Sequence, residues 1–304
     1  MKKSKITLPL IIIIYVLALL IILYPIVSNK LAQRYQMQVI DDYNVGMDET
    51  DAQALKEERD RADRYNISLF KNRVVLTDPF DPNAPDFPDG NYDELLSDRE
   101  AMAFVEIPKI KVELPVYHGT SEKVLSKGVG HLKGSSLPVG GTGTHAVLSA
   151  HCGLPTAELF TNLEKLEIGD MFYVTSLKKK MAYQVDAINV VEPEETELLR
   201  IDENRDYVTL ITCTPYAVNT HRLLVRGERV DYVEGDYQAE LDKGSGFNLK
   251  FTPIEIVQML ALLLSIIPLI MFIRMFIGKK KEEKEEPEVE DNKDSQRERD
   301  EQKT

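Results

Sequence analysis

Apolar positions along this chain fall into three patterns. Two runs, roughly Leu8 to Val27 and Ile254 to Ile277, are each close to the ~20 apolar residues that a bilayer-spanning helix needs, and both read as membrane helices. After the first run, Leu31, Tyr35, Val39 and Tyr43 recur every four residues, which predicts an amphipathic helix ending near Asn44-Val45-Gly46. A second helix is expected from about Glu49 to Tyr65, highly charged with a thin apolar stripe of Ala52, Leu55 and Ala62. Between Thr77 and Asn91 four prolines remove backbone donors, so this stretch is a loop of the kind that serves as linker or lid at a domain edge.

From Met102 to about Tyr232 the pattern changes to short β-rich runs. These are Ala103 to Ile107, Lys111 to Tyr117, His145 to Ala150, Met171 to Thr175, Tyr183 to Val191, Tyr207 to Cys213 and Arg222 to Val230. Turn signals such as Pro138-Val139-Gly140-Gly141 separate them, with helix-like pieces at Ser121 to Ser126 and Thr156 to Leu163. Many short strands with few helices predict a mainly β domain, a barrel or a sandwich. The polar, glycine-containing stretch from Tyr237 to Lys250 reads as a tether, and the acidic segment beyond Lys281 lacks the apolar content to fold.

The chain has 304 residues and a formal net charge of −13, with no basic stripe beyond the membrane flanks except Lys178-Lys179-Lys180, which argues against a nucleic-acid partner. Lysines precede the first apolar run and follow the second, so the positive-inside rule places both termini in the cytoplasm and everything between them outside. The first run could instead be a cleaved signal peptide. No convincing small-x-small cleavage site lies around Ile26 to Ala32, and an uncleaved anchor is favoured. Only two cysteines occur, Cys152 and Cys213, too few for a disulfide framework.

Cys213 ends the β-branched run Val208-Thr209-Leu210-Ile211-Thr212 and precedes Thr214-Pro215, a place from which sulfur can face the rim of a barrel. A free cysteine is more often a small buried hydrophobe. His151 also follows a strand and could carry the proton that a thiol, mostly protonated near neutral pH, must lose; the alternative is a structural histidine, the reading given to His118, His131, His145 and His221. Arg222 opens an apolar strand, where a guanidinium needs either a salt-bridge partner or a task such as stabilising an oxyanion. His151, Cys152, Cys213 and His221 are all ligand types. Paired zinc spacing is lacking, however, and adjacent strand residues face opposite ways, so no metal or organic cofactor is expected.

The stretch Thr209-Leu210-Ile211-Thr212-Cys213, followed nine residues later by Arg222, resembles the TLxTC signature of sortases. The similarity to class C, the pilin-polymerising sortases, runs from about Tyr65 to Tyr232 through Glu106-Ile107-Pro108-Lys109-Ile110, His151-x-Gly153-Leu154-Pro155 and Asn219-Thr220-His221-Arg222. One departure is Cys152, where class C commonly has arginine; with only two thiols in the chain, an oxidative pairing of Cys152 with Cys213 is conceivable.

The resemblance implies a closed barrel of about eight strands with short helices, flanked here by two transmembrane helices. It implies catalytic roles for His151, Cys213 and Arg222, and a substrate-binding one for Thr212. It also implies a lid carrying Asp78-Pro79-Phe80, with Asp78 near Arg222 and Phe80 over Cys213. The organisation expected is an anchor at 1–28, a juxtamembrane helical region at 29–76, the lid loop at 77–92, the barrel at 93–235, a tether at 236–253, a second membrane helix at 254–278 and a charged tail at 279–304. Implied partners are membrane lipid, pilin or surface proteins bearing LPxTG-type sorting signals, and a lysine amine acceptor on a pilin. A housekeeping sortase that attaches proteins to the cell wall, or a non-catalytic tethered β-domain, would share much of this layout.

Overall fold

The computed structural model describes residues 4–72, 74–81, 91–245 and 274. The expected second membrane helix (all but one residue), the charged tail and positions 82–90 of the proline-rich loop lie outside the described residues. The chain divides into two compact units, Met1–Leu23 with Asn248–Thr304, and Tyr24–Phe247. The described residues of the first unit open helix α1 (Ser4–Glu49), which is the one helix among the described residues long and apolar enough to cross a membrane.

The second unit is built on eight strands closed into a barrel in the order β1-β2-β3-β4-β7-β8-β6-β5. The strands are β1 (Ala103–Ile107), β2 (Val112–His118), β3 (Val129–His131), β4 (Thr144–Ser149), β5 (Met171–Ser176), β6 (Lys179–Val191), β7 (Asp206–Thr214) and β8 (His221–Val230). Strand side chains alternate between faces. In β7, Val208 and Leu210 join Leu148 of β4 and Val225 of β8 in the barrel core, whereas Ile211 joins Val147 and Leu224 in a separate cluster on the outer face. Closure leaves no free edge strand among the described residues.

Helices complete the cover. The amphipathic part of α1 seats Val39, Ile40, Tyr43 and Met47 against Phe104 and Tyr117, each such side chain contributing about 1.5–3 kcal/mol on full burial. α1 continues three residues past the glycine expected to end it. The carbonyl of Gly46 is held instead by Thr50 Oγ1 at 2.7 Å and Arg99 Nη2 at 3.0 Å. α2 (Ala52–Asn72) starts and ends later than the charge pattern suggested, because Tyr65 and Leu69 find apolar cover in the barrel cluster.

Three further expectations are corrected. The span 156–163 holds turns rather than a helix, followed by a single 3-10 turn at Leu163–Lys165. The first part of the expected tether is helix α4 (Glu234–Ser245), whose Tyr237 donates its hydroxyl to Glu106 Oε1 at 2.5 Å and lies under Lys180 Nζ at 3.8 Å. Strand β3, absent from the strand pattern, bridges β2 and β4.

Candidate active site

The strand order fixes the site. β7 lies between β4, its parallel neighbour, and β8, its antiparallel one. Cys213 and Arg222 are direct cross-strand partners. On the other side, the amide of Ala150 donates to the carbonyl of Ile211 at 3.1 Å, which carries the chain past the end of β4 and sets His151 beside the end of β7. Cys213 shares strand parity with Ile211, and Arg222 with Leu224, so both project onto the outer face above an apolar floor of Val147, Ile211 and Leu224.

Thr212 has the opposite parity. It is 2% exposed and its hydroxyl donates to the carbonyl of Ala150 at 2.7 Å, tying β7 to the segment that carries His151. The structure therefore brings His151, Cys213, Arg222, Asp78 and Phe80 together and sets the Thr212 side chain within the barrel wall.

The described start of the proline-rich loop, 77–81, covers this face. Asp78 accepts from the amide of Phe80 at 3.3 Å, and the amide of Asp81 donates to the Asp78 carbonyl at 3.2 Å, a local turn that buries Pro79. The turn aims Asp78 at Arg222, with Nε at 2.8 Å and Nη2 at 2.6 Å, a two-pronged pair whose side chains are only 12% and 10% exposed. The Phe80 ring lies 5.1 Å from the Arg222 guanidinium and 5.7 Å from the His151 ring, so it spans the two groups that flank Cys213. Upstream, the carbonyl of Leu76 accepts from Thr196 Oγ1 at 3.0 Å, and Leu76 packs with Phe80 on the apolar floor.

Under this cover Cys213 is 9% exposed. Burial pushes its thiol pKa up; Arg222 pulls it down and Asp78 pushes it up again, so the covered site favours the protonated sulfur. Burial works against the charge of Arg222, but the Asp78 carboxylate together with Cys213 and Glu194 outweighs it and leaves the guanidinium more firmly protonated than usual. Cys152 is half-buried and free, as Cys213 is free; burial first, then Glu164 and Cys213, push its thiol up to about 11. No cluster of three or more metal-ligating side chains occurs among the described residues.

The remaining histidines divide by burial. His131 and His145 are fully enclosed and hydrogen-bonded to the carbonyls of Ser136 and Arg200 at 2.8 and 2.9 Å. His118 bonds to the carbonyl of Leu95 at 2.6 Å, and His221 faces Glu192 at 3.2 Å. One partner of the site left no trace in the motifs: Glu122 of α3 (Glu122–Leu125), whose Oε2 and Oε1 lie 3.1 and 3.3 Å from His151 Nε2. It is 29 positions away in the chain, and only the fold joins the two.

A thiol, an imidazole and a guanidinium set on neighbouring strand ends above an apolar floor define a cysteine-centred site on a closed barrel. Comparison with known proteins agrees. The sortase-domain family model matches residues 105–230. The chain is 30% identical to sortase A of Bacillus anthracis over 135 residues, which cover 44% of this chain and 62% of that relative's length. Among solved structures, sortase C1 of GBS pilus island 1 matches at 44% identity and a TM-score of 0.60, covering 66% of this chain and 94% of the other. Sortase C-1 of Streptococcus pneumoniae matches at 50% identity and 0.61, covering 64% and 100%. The chain belongs to the sortase family.

Proposed function

We propose that this protein is a membrane-anchored cysteine transpeptidase that joins pilin subunits. The observation that carries the reading is the direct β7–β8 pairing of Cys213 with Arg222, beside His151, under the Asp78-Phe80 cover. The same sortase C structures support the pilin-joining assignment, one of them coming from a pilus island.

In the proposed reaction the lid first swings away and frees Arg222 from Asp78. The Cys213 thiolate attacks the threonine carbonyl of an LPxTG-type signal, and Arg222 stabilises the oxyanion that forms. The Thr-Gly bond breaks, His151 gives its proton to the leaving glycine amine, and a thioester remains on Cys213. A lysine amine of another pilin then attacks this thioester, loses its proton to His151, and releases the thiolate as an isopeptide bond forms. The apolar floor of Val147, Ile211 and Leu224 suits an apolar signal residue.

Anchoring by the first apolar helix, and by a second membrane helix at 254–278 with both termini cytoplasmic, would hold the enzyme on the surface where tethered substrates are concentrated. Incubating the full-length protein with candidate pilins and mapping cross-links by mass spectrometry tests the reading. Cys213→Ala and His151→Ala are each expected to abolish polymer ladders while the barrel stays folded. Ladders that persist with Cys213→Ala, in a strain lacking other sortases, would refute it.

A further inference from the structure

Glu122 is the one barrel-borne hydrogen-bond partner of the His151 ring among the described residues. Its other close neighbour, Phe80, belongs to the lid and leaves with it. α3 is held by the amides of Val124 and Leu125, both donating to the Ser121 carbonyl, and by Leu125, 2% exposed beneath it. Glu122 itself is 78% exposed in its side chain, against 20% for His151, so it sits at the outer edge of the imidazole and adds no bulk to the groove.

A carboxylate only accepts hydrogen bonds, so the ring nitrogen that faces it carries hydrogen. With Nε2 so held, the neutral ring keeps Nδ1 bare, and Nδ1 is the atom free to take up and give back a proton. From this geometry we infer that Glu122 is a positioning residue which fixes His151 in its Nε2–H tautomer and makes Nδ1 the shuttling nitrogen. The inference rests on the proton-carrier role proposed above for His151. It adds that the ring stays oriented after the lid has opened, because the Glu122 contact belongs to the barrel.

The test uses the full-length protein in detergent with nitrogen-15-labelled histidine, the His151 signals being assigned by their loss in His151→Gln. At a pH where the ring is neutral, the wild type should show the Nε2–H tautomer. Glu122→Ala should show a mixture, and Glu122→Gln, which keeps an acceptor oxygen, should restore the wild-type pattern. With a sorting-signal peptide and an amine acceptor, Glu122→Ala should lower kcat by about two- to fivefold, the scale of a largely exposed ionic contact, while KM moves less than about twofold. Glu122→Gln should recover most of that loss.

A dominant Nδ1–H tautomer in the wild type, or a tautomer unchanged in Glu122→Ala, overturns the inference. So does a kcat in Glu122→Ala equal to that of the wild type. An expected tautomer pattern in a wild-type protein that processes no sorting signal would instead count against the proposed function, so the two failures are distinguishable.

Discussion

Replacing Asp78 with alanine should turn a shielded thiol into a reactive one. Asp78 grips Arg222 with bonds of 2.8 and 2.6 Å, and Phe80 rests 5.1 Å from the same guanidinium. Each charge-assisted bond at this burial contributes about 1–2 kcal/mol net, and the ring contact about 0.5–1 kcal/mol. The sum, about 2.5–5 kcal/mol, leaves the site open in roughly one molecule in a hundred to one in several thousand, at ~1.4 kcal/mol per tenfold. Without Asp78 about 2–4 kcal/mol of that hold is gone, so site-resolved alkylation of Cys213 by iodoacetamide should accelerate by at least about 30-fold. The pH dependence should move as well. Burial and Asp78 both push the Cys213 thiol up, whereas Arg222 pulls it down. Removing Asp78 leaves Arg222 facing the sulfur, so labelling should begin to rise at lower pH than in the wild type. Phe80→Ala removes only the ring contact and apolar cover and should give a smaller acceleration, about tenfold or less. A labelling rate for Asp78→Ala within twofold of wild type, with an unmoved pH profile, would refute the account of the lid.

Other consequences can be checked on the same protein. Burial lowers His131 and His145 to about 4 from the usual 6.5. Their neutral forms are favoured in the fold, so this stability is complete above pH 6.5 and is lost as the pH falls through about 4, by up to roughly 3 kcal/mol per histidine; a melting temperature constant across that window would contradict it. Cys152, pushed up to about 11, should be alkylated after Cys213 in Asp78→Ala, which peptide mapping of a labelling time course reads directly. Leu148→Ala, at a wholly buried site in the barrel core, should cost about 2–5 kcal/mol in denaturant unfolding, whereas Glu122→Ala at its exposed position should cost almost nothing.

The strand pattern was readable where β-branched residues alternate or run together. β1 spans the expected residues, and β4, β5, β7 and β8 lie within a residue of expectation at each end. It failed where tertiary contacts decide. β3 has three residues, one of them Gly130, and is a strand because β2 and β4 pair with it on both sides. β6 begins at Lys179, four residues ahead of the apolar run, because Leu177 and Lys178 take positive φ angles of 48° and 64° in a tight hairpin lacking the usual Asn-Gly or Asp-Gly signal. Tyr43 supports that turn by accepting from the Leu177 amide at 2.9 Å, a contact between residues 134 positions apart. Cys213 and Arg222 were legible because a strand, a short loop and a return strand place them in one register. Glu122 was not, since a lone glutamate on a one-turn helix has no local pattern to mark it.

The partners of the site divide into those the barrel carries and those the lid carries, and this division bears on how the protein can be switched. Arg222 has Asp78 from the lid, while its Nη1 also donates to the carbonyls of Asn219 and His221 at 3.2 and 3.1 Å, both next to its own strand. His151 has Phe80 from the lid and Glu122 from α3. On the proposed reading, each group therefore keeps a barrel contact once the loop departs, and departure would not require the barrel to rearrange. What changes is electrostatic: one carboxylate leaves a guanidinium that is 12% exposed, and the nearest remaining candidate for its charge is the sulfur directly across the strand pair. A segment that displaces Asp78 thus uncovers the thiol and favours its ionised form in one step. This is why, on the proposed reading, loss of a single lid carboxylate should alter both the rate and the pH dependence of Cys213 chemistry.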